Sequence, residues 1–532
     1  MYLLNTILLT ASTAFLISLF FLILLNLKKI VGFFSDIGIE VWVSFVVVLI
    51  VSGLFRFLWV PHQQFIYHDG INFVNIARTI RSSGLQAICV FTSEGACMDY
   101  FFSFFWPPIY PLMISVLFRV FSYSQSLVFN FSALIGIFSV FISFLLSYLW
   151  TKKKIVALIS ATLFSFTPVI LKFSGTSSLV LPFLFFALLA TLFFELFLGE
   201  RKKYIFLLFI VSLLCAAYTR IEGFLLVPVF IFSFIVRTGR WKNLREEISI
   251  FLKKKFYRNS IVVGFLLLVP IFVSIYVNRN ITPQEGWTPG FLETINYLRQ
   301  HSFENIRFLL DPRKNLLIST FLIISGLVYS AYKEKSKLLS FFVFFAGYFT
   351  LYSGFDMGNF MHRELVKYSL ILFVPLFYFL STGVDFFYKK LKEAGFNTFL
   401  IVSLFAVILG LNFQLTTDFV QHSQDINYIN EVLAENKETI SKADYVVNAG
   451  SLKSYVMIDV DSVDVPAVTR NMNYFKDKEL ILIKNSSWQF LKNDREDVVE
   501  RIRNEYQFEK IYDIEGYDRV SPSGIFRMIR KE

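Results

Sequence analysis

The sequence predicts an α-helical polytopic membrane protein of about twelve transmembrane helices, closed by a small C-terminal extracytoplasmic α/β domain. Three observations carry this. Hydrophobic residues make up 55% of the 532 positions, 66 of them Phe, and the mean hydropathy is +0.58, too apolar for a set of water-soluble domains. Apolar runs recur from residue 4 to about residue 413, after which charged residues alternate with short apolar stretches. Lysine and arginine cluster in every second connection between those runs, the signature of cytoplasmic loops.

The spans read at 4–27, 41–60, 124–150, 155–173, 179–198, 204–220, 222–236, 260–277, 316–332, 338–354, 366–387 and 398–413. Each is near the ~17–25 residues a crossing needs. The basic connections are Lys28-Lys29, Lys152-Lys153-Lys154, Arg201-Lys202-Lys203, the stretch from Arg237 through Lys253-Lys254-Lys255 to Arg258, Lys333 to Lys337, and Lys389-Lys390-Lys392. With these inside, the alternate connections and both chain ends lie outside. The domains are then 1–413, a membrane domain with a large outer loop at 61–123, and 414–532, the α/β tail. The first span lacks a basic n-region and a clear small-residue cleavage site, so it reads as a retained helix. The net charge of +11 belongs to this topology rather than to a nucleic-acid partner, because the basic residues sit in short loops and not on one soluble face. Of the three cysteines, Cys89 and Cys97 share the outer loop, where an oxidising compartment permits a disulfide, while Cys215 lies inside a span.

Within the outer loop Asp69 opens an amphipathic pattern, with Phe73, Ile76, Ala77 and Ile80 on one side, closed by Gly84. The spacing predicts a short helix on the bilayer surface. Trp106-Pro107-Pro108-Ile109-Tyr110-Pro111 then breaks any helix and leads the chain back to the interface through an apolar segment ending near Phe121. In the tail, Gln424 to Asn436 has helical periodicity. Short apolar runs at 445–447, 455–458, 480–483 and 525–529 read as strands. No Walker sequence, GxGxxG or metal-spaced His or Cys cluster occurs there.

Candidate chemistry lies on the outer side. Asp69 stands just beyond the second span, where an ionisable group is a functional candidate and also a favoured helix cap. Arg220 and Glu222 interrupt an apolar stretch from Tyr204 to Val236 that is too long for one crossing, and they mark an outer turn. They suit either an active site or a local ion pair. Arg363, with His362 and Lys367, sits at the outer entrance to a later span, as a ligand-binding cation or an interfacial anchor. Arginine suits a lipid phosphate because its planar fork makes two charge-assisted bonds and stays protonated.

The Asp-Gly-x-x-Phe-x-x-x-Ala pattern at 69–77 with Gly84, the Pro107-Pro108-x-Tyr110-Pro111 element, Thr219-Arg220-Ile221-Glu222-Gly223 at a tight turn, and Arg363 followed by Tyr368 and Pro375 together resemble the GT-C glycosyltransferases. Within that family the likeness is to the protein-mannosyltransferase and aminoarabinose-transferase branch. The resemblance implies a polyprenyl-phosphate sugar donor drawn from the membrane lipid, no cofactor, and inverting transfer on the outer face to a glycan, lipid or protein acceptor. It implies Asp69 as general base, Arg220, Arg363 and Arg78 on the donor phosphate, and His68, Glu222, His362 and Lys367 in the substrate cleft. The chain departs from the family at Gly70, where many relatives have Glu, and at Phe73, where Tyr is common. The outer turn at 172–179 carries no acidic residue, so a metal held by paired carboxylates is not expected and Glu222 is left to supply a second negative charge. Two other classes compete. An O-antigen ligase or polymerase would rely on arginine and histidine in later loops and tolerate loss of Asp69. A transporter or flippase calls for charges or broken helices at mid-membrane, of which the span interiors offer little beyond Pro182 and Pro228.

Overall fold

The computed structural model describes residues 2–62, 70–91, 97–102, 107–238, 254–281, 291–355, 358–361, 365–421, 436–448, 461–484, 496–514 and 523–531. The chain divides into two compact units. One comprises 1–61, 103–113 and 129–421, the other 62–102, 114–128 and 422–532.

The first unit is a helical bundle. Its elements are α1 (Tyr2–Gly32), α2 (Ile39–Leu54), the greater part of α5 (Gln125–Thr151), α6 (Lys154–Ser165), α7 (Pro168–Ser174), α8 (Val180–Glu200), α9 (Lys203–Ala217), α10 (Leu226–Arg237), α11 (Lys255–Ile281), α12 (Phe291–Leu310), α13 (Leu317–Lys333), α14 (Lys335–Ser353), α15 (Phe373–Glu393) and α16 (Thr398–Gln421). Every predicted span falls on helix. Six helices among the described residues are long and apolar enough to cross a membrane. The predicted span at 155–173 is instead a broken one, α6 and α7 meeting at 60°. The cause is Pro168, which lacks an N–H and ends the preceding helix. α16 runs on to Gln421, past the change in composition at 414.

Inside a bilayer there is no hydrophobic drive between helices, so close approach of small residues decides packing. Ser132, Gly136, Ser139, Ser143 and Ser147 form one stripe along α5, and the four serines are all buried. Gly383 of α15 sits so close to α13 that a Cβ there would lie 2.8 Å from the backbone carbon of Leu322.

The basic connections gather at one end. Phe33, Lys152, Arg201, Thr238 and Lys337, from four different turns and the end of α1, line a single cavity of about 550 Å³. Lys153 and Lys389 both reach Asp385, at 2.7 and 2.6 Å, and Arg237 grips Glu195 with two bonds. This is the end the positive-inside tendency assigns to the cytoplasm. The connection 278–315, expected as a loop, contains the amphipathic helix α12. Its polar residues are not loop residues, because Asn305 is buried and bonded (below).

In the second unit α3 (Gly70–Ser83) begins one residue after Asp69 and stops at Gly84, whose φ of +70° ends the helix. The cysteine-bearing loop is in fact a hairpin of β1 (Ala87–Phe91) and β2 (Cys97–Phe102), antiparallel with Cys89 opposite Tyr100. Cys89 is disulfide-bonded, whereas Cys215 of the bundle is buried and free. α4 (Ile109–Val120) follows the double proline and leads on to α5.

The tail is α/β. After α17 (Lys437–Ile440) come β3 (Tyr445–Asn448), β4 (Asp461–Asp464), α18 (Val465–Arg470), β5 (Leu480–Lys484), α19 (Glu496–Glu505), β6 (Tyr506–Ile514) and β7 (Ser523–Arg530). They form a five-stranded sheet of order β4-β3-β5-β7-β6, parallel at β4, β3 and β5 and antiparallel beyond. Val446 and Ile481 are buried as well as Tyr445, Val447, Leu480 and Leu482, so the central strands read as continuous apolar runs, as strands covered on both faces do. The expected helix at 424–436 falls almost wholly outside the described residues, and the expected strand at 455–458 lies outside them entirely. β6 and α19 were not expected, because charges interrupt their apolar pattern.

Candidate active site

Opposite the lysine-rich end, several turns of the bundle converge. α9 stops at Ala217, and the chain turns through Thr219-Arg220 into a 3-10 helix at Ile221–Leu225. Gly223 is required there, since a Cβ would lie 2.7 Å from the carbonyl oxygen of Ala216 and from the Cα of Ala217. Ile109, at the end of the double-proline element, donates its N–H to the Tyr218 carbonyl at 3.2 Å. Tyr110 beside it is fully buried, its hydroxyl 3.4 Å from that of Ser132. The proline element of the first outer loop is thereby docked beside the Arg220 turn.

Arg220 is the focus. Its Nε donates to Glu222 Oε2 at 3.0 Å and its Nη2 to Oε1 at 2.5 Å, so the local ion pair foreseen for these two residues is present. Nη1 takes no part in that fork. The guanidinium carbon lies 5.2 Å from the ring centre of Tyr368 and 5.9 Å from that of Phe183, within cation–π range. Tyr348 donates its hydroxyl to the Glu222 carbonyl at 2.7 Å, across 126 residues of sequence, and holds the turn against α14. Burial acts to raise the Glu222 carboxyl, but the charge and hydrogen bonds of Arg220, with a further contribution from Lys367, hold it below its ordinary 4.5. Burial likewise works against the Arg220 charge, and Glu222 more than restores it. The pair is a fixed, ionised fork pinned between aromatic rings.

A second clamp fixes the segment leading to Arg363. Asn305 of α12 donates to Ser353 Oγ at 2.9 Å and to the Gly358 carbonyl at 2.8 Å, and accepts from the Phe360 N–H at 2.6 Å. Asn359 bonds Glu304 in turn. Of the residues expected in the site, the structure brings together Arg220, Glu222 and Lys367. Asp69, His68, His362 and Arg363 lie outside the described residues. Arg78, in the second unit, lays its guanidinium 4.5 Å from the ring centre of Tyr123.

Tyr348 and Phe183, which also hold the fork, carry no local signal in a Phe-rich membrane chain, whereas Tyr368 stands in the motif after Arg363. The span interiors were expected to be nearly free of charge. Arg56, inside the predicted span 41–60, is fully buried, and an arginine in an apolar run is itself the signal that would have found it.

Fold and site define a multi-pass membrane protein in which the turns away from the basic connections frame a buried, aromatic-lined arginine fork. No protein-family model matches the chain. An uncharacterized protein of Aquifex aeolicus (strain VF5) is 25% identical over 297 residues, which is 56% of this chain and 54% of that relative, so the match spans about half of the relative's length. ArnT from Cupriavidus metallidurans bound to undecaprenyl phosphate superposes with a TM-score of 0.59 at 11% identity, over 92% of this chain and 98% of ArnT. The apo state of ArnT gives 0.57, also at 11% identity, over 91% of this chain and 97% of ArnT. At that identity the likeness is one of fold alone: the chain shares the fold of ArnT.

Proposed function

We propose that this chain is an inverting membrane glycosyltransferase that moves a sugar from a polyprenyl-phosphate donor to a glycan, lipid or protein acceptor on the outer face of the membrane. The observation that carries the reading is the Arg220 fork, set at the end of the bundle away from the lysine-rich turns in a fold shared with ArnT. ArnT binds undecaprenyl phosphate. An apolar cavity of about 280 Å³ lies between α8, α9, α10 and α11, lined by residues such as Phe194, Phe209, Leu213 and Phe230 and reaching Ala217 and Val227, which flank the Arg220 turn in sequence. Such a cavity suits a prenyl chain.

In this reading the carboxylate of Asp69 takes the proton of the acceptor hydroxyl, and the acceptor oxygen attacks the anomeric carbon from the face opposite the phosphate. The bond from that carbon to the phosphate oxygen breaks with its electrons on the phosphate. The charge that develops there is met by Arg220, with Arg363 and Arg78 as further donors. The reaction needs no cofactor and no nucleic-acid partner. α3 begins immediately after Asp69, so capping and base chemistry are compatible, one carboxylate oxygen serving each.

The test is release of free polyprenyl phosphate from a labelled polyprenyl-phosphate sugar in membranes carrying the protein, with Asp69→Asn as the comparison. Asn caps nearly as well as Asp but accepts no proton, so the variant should fold and release should fall at least ~10²-fold. Undiminished release by a folded Asn variant removes Asp69 from the chemistry.

A further inference from the structure

Arg56 lies on a π-helical turn, Phe55–Trp59, that ends the second span. Turns of this kind are uncommon and recur at functional sites. Its fork reaches three helices. Nη1 donates to Ser52 of its own helix, to the carbonyl at 3.2 Å and the hydroxyl at 2.5 Å. Nη2 donates to the Ser165 carbonyl at 3.0 Å. Nε donates to the Ser174 hydroxyl at 3.2 Å.

Ser165 is the last residue of α6 and Ser174 the last of α7, so one guanidinium ties together the two arms of the broken span. The Ser165 carbonyl belongs to a helix end, where the last four carbonyls lack helical donors. A donor from outside the helix lets the span break there without leaving that group unmet. α5 leaves room for the fork through Gly136, where a Cβ would lie 2.8 Å from both Arg56 Nε and Ser174 Oγ. Beyond the clamp, both strands of chain it holds run to the outer end. Gly175 lies against Val60 and Pro61, a Cβ there coming within 2.8 Å of Val60 Cγ1. Pro61 opens the outer loop that carries Asp69 in sequence.

We propose that Arg56 is a positioning residue: its fork sets the bend between α6 and α7 and the exit of the second span at Pro61, and so fixes the start of the outer loop for transfer. The inference deepens the glycosyltransferase reading and rests on it for its kinetic part, while its structural part stands alone. A lysine has a point charge and cannot span Ser165, Ser174 and Ser52 at once.

The test uses the full chain in lipid nanodiscs with Arg56→Lys, Arg56→Met and Gly136→Ala, the last keeping the charge and displacing the fork. Hydrogen exchange of 168–178 and 55–62 should quicken at least tenfold in all three, while exchange in the tail sheet stays unchanged. Unchanged exchange in 168–178 overturns the inference whether or not the protein transfers sugar. In the donor-release assay, kcat should fall ~10- to 10²-fold, the cost of an ångström-scale misplacement, with KM for the donor within threefold. A loss of thermal stability with kcat intact would make Arg56 a packing residue and overturn the positioning role. Absence of release from the wild type would count against the glycosyltransferase reading alone, leaving the exchange result to decide the clamp.

Discussion

At the scale of single residues, the Arg220–Glu222 fork is where sequence and structure meet most closely. Both charges were visible as an interruption of an apolar stretch, and two residues of spacing put them on one turn. What the sequence left open was whether the pair faced water. The guanidinium does not: the Arg220 side chain is 9% exposed and lies against Phe183 and Tyr368, while the Glu222 side chain keeps 25% of its surface exposed. Removing the carboxylate strands the buried guanidinium, and because Glu222 itself is partly exposed Glu222→Gln should cost no more than ~3 kcal/mol, the lower end for buried pairs, read from thermal or denaturant unfolding in detergent. The pH dependence follows from the same geometry. The Glu222 carboxyl is held below its ordinary 4.5 in the folded protein, so its stabilising contribution is complete above that value and is lost as pH falls through the lower, folded one. Between pH 8 and 5 this contribution should be flat. Below pH 4.5 the wild type should lose stability more steeply than Glu222→Gln, and parallel curves would show that the pair does not couple to protons.

At the scale of elements, α3 was legible from end to end because its signals are local: apolar residues at helical spacing, Asp69 before its first residue and Gly84 with positive φ after its last. Beside it, Gly95 signals a turn between Cys89 and Cys97, but the two strands that flank it carry no alternation that marks them as strands. The hairpin's attachment could not have been read at all. Asn75 of α3 donates to the Cys89 carbonyl at 2.9 Å and accepts from the Cys89 N–H at 2.7 Å, pairing with the edge of β1 as a neighbouring strand would. Asn75→Ala should destabilise this unit by about 2 kcal/mol, two net hydrogen bonds, with faster amide exchange across Ala87–Phe91. Asn75→Asp keeps the acceptor and loses the donor, so it should lie between the two. Equal exchange in all three would show that the Asn75 bonds do not hold the hairpin.

At the scale of the whole molecule, the alternation of basic and non-basic connections assigns sides, and the lysine-rich turns do share one end of the bundle. The proposed topology puts the tail on the other side of the membrane. Single cysteines at Lys254 and Glu496 should therefore label from opposite faces of sealed vesicles, and labelling of both from one face would sink the topology. The sequence by itself determined where the apolar helices run and which turns are basic, and it assigned Asp69, Arg220, Glu222 and Arg363 to the connections that alternate with the basic ones, because apolar length, charge and turn residues act over a few neighbours. Only the tertiary structure decided what the polar groups bond to. Arg56 finds Ser165 and Ser174 at 109 and 118 residues' distance, Tyr348 finds Glu222, and Asn305 finds Phe360, because those partners depend on which helix faces meet. In a chain with 66 Phe, many faces are equally apolar, and the close approaches allowed by small residues such as Gly136 and Gly383 select among them.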